Sequence, residues 1–87
     1  MRNIEKIKLL ESRNSELAKE ILLNESAIYE AEKEISNLDM DLIEHPKILE
    51  YVNQLKFLIG RLTEKNNFYK TEIFQNDLEI KKLLENE

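Results

Sequence analysis

Eighty-seven residues bound this chain to a single domain. Charged residues make up 36% and hydrophobic ones 41%, with one Gly, one Pro, no Trp and no Cys. That profile suits long helices, leaves few residues for turns, and excludes a disulfide framework or a thiolate metal site. The net charge of −5 sits in residues 30–50, where seven acids stand against Lys33 and Lys47, so a basic nucleic-acid footprint is excluded.

No apolar run approaches the roughly 18 residues of a membrane span, and the Met-Arg-Asn-Ile-Glu-Lys start lacks a secretory apolar region. A soluble, intracellular, cytoplasmic protein is the expectation. Strands are not expected, because turn clusters do not recur at strand spacing.

From Ile7 to Leu42 a heptad repeat runs without a slip. Its a positions are Ile7, Asn14, Ile21, Ile28, Ile35 and Leu42, and its d positions Leu10, Leu17, Asn24, Ala31 and Leu38. Ile at a and Leu at d is the preference of paired long helices, and this arm contains no Gly or Pro. The pattern predicts a helix over about 4–43.

His45-Pro46 breaks it. Proline lacks an amide proton, and its ring would strike the carbonyl of Leu42 in a continuous helix. It also pushes His45 out of the α region. Residues 44–46 therefore read as a turn, with Pro46 suited to the first turn of the next helix. The seam spacing 42, 45, 48 would overwind an unbroken coiled coil, which also favours a turn.

A second helix is predicted over about 47–85. Its d positions are Ile48, Leu55, Leu62, Tyr69, Asn76 and Leu83, and its a positions Val52, Ile59, Asn66, Ile73 and Ile80. If the arms fold back about residue 45, facing positions add to 90 and every a meets a d. Asn14 then meets Asn76, Asn24 meets Asn66, and the other nine of eleven layers are apolar on both sides. An amide facing Leu or Ile would lose hydrogen bonds at a cost of about 1–3 kcal/mol, so Asn14, Asn24, Asn66 and Asn76 are expected to set the register.

Flanking charges agree. The antiparallel pairing places Glu32 and Asp39 near Lys56, Glu25 near Lys70, Glu20 near Lys65, and Lys6 and Arg13 near Glu79, with Glu11–Asp77 mismatched. A parallel pair of either arm would set mostly like charges together. Each exposed pair is worth only about 0.3–0.5 kcal/mol, yet such charges choose orientation. Two unbroken chains crossing at residue 45 would make the same contacts, but Pro46 inside a helix costs about 3 kcal/mol, which favours the hairpin.

The fold class is thus all-α, an antiparallel two-helix coiled-coil hairpin. One seam buries little for a domain of this size, and apolar residues are left over. Leu22, Tyr29, Phe74 and Leu84 lie on one flank, Leu23, Leu58, Phe68 and Tyr51 on the other, and Phe57 and Leu78 point outward. Leucines and aromatics grouped at matching levels suggest a contact surface. Leu22, Leu23, Tyr29, Phe57, Leu58, Phe68 and Phe74 are the expected residues of partner binding or self-association. Dimerisation into a four-helix bundle is the first expectation and a different protein partner the second.

No residues are expected to be catalytic, cofactor-binding or metal-binding. His45 is the single histidine and stands at the turn, where a cap suits it better than a base or ligand. Glu30, Glu32 and Glu34 alternate around the helix and do not converge. Triads and phosphate loops are absent from the sequence. The expected function is a non-enzymatic structural adaptor acting on a protein partner, on itself, or on both. It would take no cofactor or small-molecule substrate and make no direct contact with nucleic acid or membrane. The second reading is a small inhibitor or regulator, of mobile-element or phage type, that blocks a target protein.

Overall fold

The computed structural model describes residues 2–38 and 44–86. Helix α1 spans Asn3–Ser36 and α2 spans Pro46–Glu85. The two run antiparallel. Asn3, at the start of α1, donates to the carbonyl of Leu83 near the end of α2 at 3.3 Å, while the Tyr51 hydroxyl, early in α2, donates to Glu34 near the end of α1. The hairpin is a rod of 64 × 16 × 14 Å.

The heptad reading describes its inner face. Every buried or half-buried described residue of the first arm, from Asn3 through Leu38, occupies an a or d position. On α2 the same holds from Ile48 through Leu83, with Glu72 the one exception among the described residues. Asn3 extends the d series one heptad before Leu10. The Leu42–Ile48 layer and the expected Asp39–Lys56 contact involve residues outside those described.

Helix α1 ends at Ser36, and residues 39–43 of the helix expected to about residue 43 lie outside those described. The Lys33 carbonyl accepts both the Ser36 hydroxyl at 2.9 Å and the Asn37 N–H at 3.0 Å. The Leu38 N–H then bonds the Ile35 carbonyl at 3.2 Å, a tightened i→i+3 closure. Ser and Asn are poor helix formers, because their side chains compete for backbone groups. Leu38 nonetheless stays half-buried over the buried Val52, so the seam outlasts the helix.

The start of α2 follows the proline. Pro46 takes the first helical turn, His45 is extended (φ −65°, ψ 129°), and its side chain accepts from Lys47 N–H at 3.3 Å. His45 is therefore a helix cap.

Packing within the chain is thin. Among the described residues only Ile7, Leu17, Ile21, Ala31, Val52 and Leu83 are buried apolar side chains. A seam between two helices leaves the remaining layers half-open, as expected for a hairpin with no third element.

Candidate interaction surface

The polar layers come first, because they fix how the arms sit. Asn24 Nδ2 donates to Asn66 Oδ1 at 2.9 Å, and Asn66 Nδ2 donates across the seam to the Ile21 carbonyl at 3.2 Å. Asn66 is 4% exposed, and both ends of its amide are matched. At the other level Asn76 Nδ2 donates to Asn14 Oδ1 at 2.9 Å, and Asn14 Nδ2 passes on to Asp77 Oδ1 at 2.9 Å. Both amide pairs anticipated from the sequence are in contact. Among the described residues no buried side-chain polar atom lacks a partner, as a low-dielectric seam requires.

Several polar contacts differ from the sequence reading. Asp77, expected to face Glu11 unfavourably, instead accepts from Asn14. Arg13, expected beside Glu79, pairs with Glu72 through two hydrogen bonds at 2.7 and 3.4 Å. The forked guanidinium matches both carboxylate oxygens. That hydrogen bond holds the Glu72 carboxyl below the usual carboxylate range, against an opposing effect of burial, and raises Arg13 in turn. Glu25–Lys70 forms as expected at 3.8 Å, while Glu20–Lys65 shows no ion pair within 4.0 Å among the described residues. The Tyr51 phenol is raised by its hydrogen bond to Glu34, with burial adding in the same direction.

The expected contact residues all lie outside the seam. Phe68 is 73% exposed, Phe57 67%, and Leu22 and Leu23 65% each. Tyr29, Leu58 and Phe74 are exposed as well. Heptad geometry divides them. Leu22, Tyr29 and Phe74 share one flank. Leu23, Leu58 and Phe68 share the other, and Phe57 stands on the back of α2 with the Arg61 guanidinium 5.9 Å from its ring centroid. Ile4, Leu9 and Leu49 are also exposed. Only their apolar character at outer heptad positions marks them in the sequence.

Gly60 faces the Leu22 flank, and a Cβ built there would meet nothing within 4 Å. Among the described residues no group of three or more His, Asp or Glu side chains is placed to hold a metal ion, and no helix is long and apolar enough to cross a membrane. No protein-family model, curated protein or solved structure matches this chain.

Proposed function

We propose that this chain is a non-enzymatic protein–protein interaction module, a structural adaptor in which the zipped hairpin is a rigid rod and its outer apolar flanks hold a protein partner. One observation carries the reading. Among the described residues the a and d positions account for nearly all the burial, and Leu22, Leu23, Tyr29, Phe57, Leu58, Phe68 and Phe74 are left exposed outside the seam. Large aromatics and leucines grouped on the flanks make exposed apolar patches of the kind that mark interaction sites rather than a solvated face.

The test is capture from the source cell using the intact chain and a Phe68→Asp/Phe74→Asp variant. Neither side chain is in the seam, so the variant should keep its helicity. The proposal expects the intact chain to retain defined proteins, or further copies of itself, and the variant to lose them at least tenfold. Equal capture by both would contradict it.

A further inference from the structure

Resting on that reading, we propose that the outer face of α2 binds a second copy of this chain, α2 against α2 and antiparallel, about a two-fold axis at the level of Ile73. Heptad positions b, c and f point away from the seam. Over Asn67, Phe68, Thr71, Phe74, Gln75 and Leu78 these positions carry no charge, the longest such run on either helix. All six are exposed. The Thr71 hydroxyl is already matched, donating to the Asn67 carbonyl at 3.0 Å, so covering this strip strands little that is polar. The charges at its two ends identify the occupant.

A two-fold interface requires that what lies on one side of the axis match what lies at equal distance on the other. With α2 against α2 about Ile73, facing residues add to twice 73, or 146. Arg61 of one copy then meets Glu85 of the other, and Glu64 meets Lys82, each twice over. Among the described residues none of these four makes an ion pair within 4.0 Å in its own chain. Between the charged ends Phe68 meets Leu78 and Thr71 meets Gln75. Phe74 lies about 1.5 Å from the axis level and approaches its own copy. The contact is thus apolar at its centre and charged at its rim, and each α1 stays on the outside.

Other registers match less well. A slip of one heptad sets Phe68 against Thr71 in one direction and against Glu85 in the other. A parallel copy brings each of the four charges onto itself. An axis between Leu62 and Thr63 would pair Phe57 with Phe68, but it buries Arg61 and Glu64 at the centre, where desolvation opposes their pairing, and sets Lys65 against Lys65. One unfavourable meeting remains in the proposed register, Glu72 with Glu79, and Glu72 is already held by Arg13. Residues 61–85 span about 36 Å at about 1.5 Å per residue. Across the 14–16 Å width of the rod that covers on the order of 550 Å² per copy, the size of a weak, reversible interface.

Charge exchange tests the arrangement. In sedimentation equilibrium at sub-millimolar concentration, the intact chain should dimerise, and the dimer should dissociate on dilution. An Arg61→Glu/Glu64→Lys chain and a Lys82→Glu/Glu85→Lys chain both keep the net charge of −5. Each should dimerise at least tenfold more weakly, with circular dichroism showing intact helices. Mixed in equal amounts, the two should recover the affinity of the original, because every facing pair is then again of opposite sign. Leu78→Ser, which alters no charge, should also weaken the dimer at least tenfold, whereas Phe57→Ser, outside the contact, should leave it unchanged. The proposal is overturned if the charge variants dimerise like the parent, if their mixture gains nothing, or if Phe57→Ser rather than Leu78→Ser weakens the dimer. A parent that stays monomeric but captures another protein through Phe68 and Phe74 also overturns it, while leaving the interaction module standing. A monomeric parent whose capture is indifferent to those two substitutions overturns both.

Discussion

A carboxamide in a coiled-coil seam is tolerated only when another polar group meets it. Asn66 is the clearest case, accepting from Asn24 and donating to the Ile21 carbonyl. Asn14 differs in being half-buried and bonded to both Asn76 and Asp77. Replacing Asn14 by Ile leaves the Asn76 amide facing hydrocarbon, and thermal or denaturant unfolding should show a loss of about 1–3 kcal/mol. Asn14→Ile with Asn76→Leu should instead raise the melting temperature and admit additional oligomers, since an apolar layer no longer penalises a slipped register. A neutral single substitution would remove the pairing as a source of specificity. Titration acts at the same scale. The folded-state pKa of Glu72 is lowered by Arg13, so its stabilisation is complete above the ordinary carboxylate range and is lost as pH falls through the lowered value. Tyr51 is raised, so its stabilisation is complete below the ordinary phenol value and is lost as pH rises through the raised one. Melting temperature against pH should accordingly lose part of its acid slope in Glu72→Gln and part of its alkaline slope in Tyr51→Phe.

The two helices are limited by different kinds of signal. Proline announces the start of α2 in the sequence through steric exclusion, and α2 begins at Pro46. The end of α1 was not legible in that way, because Ser36-Asn37 falls on outer heptad positions and leaves the periodicity undisturbed through Leu42. Seam period reports which face is buried, and Leu38 is still half-buried. It does not report whether local hydrogen bonds keep the backbone helical, and at residues 37–38 they do not. The cap of α2 is a further element-level feature. His45 accepts from Lys47 N–H at a long 3.3 Å, and the first turn of α2 carries no acid. An aspartate there accepts more strongly and adds negative charge at the positive end of the helix dipole. His45→Asp should therefore stabilise the hairpin by about 0.5–1 kcal/mol in denaturant unfolding; a loss of stability would contradict this account of the cap.

Across the whole molecule, the antiparallel hairpin and both amide pairings were legible because each seam residue constrains its opposite number, and Asn14, Asn24, Asn66 and Asn76 admit one register. Individual ion pairs were less so. Arg13 reaches Glu72 rather than Glu79 because long side chains span more than one turn, and heptad letters carry no rotamers. The thin core, with six buried apolar residues among those described, follows from the same two-helix plan and leaves the flanks exposed. All of this rests on register, which a double-mutant cycle at fixed protein concentration measures most directly. Asn24→Leu and Asn66→Leu, each alone and together, should show a coupling of about 1–3 kcal/mol, the double variant being more stable than the sum of the singles predicts. Asn24→Leu with Asn76→Leu, which joins different layers, should be additive to within about 0.5 kcal/mol. Additivity in the first cycle, or coupling only in the second, would contradict the register.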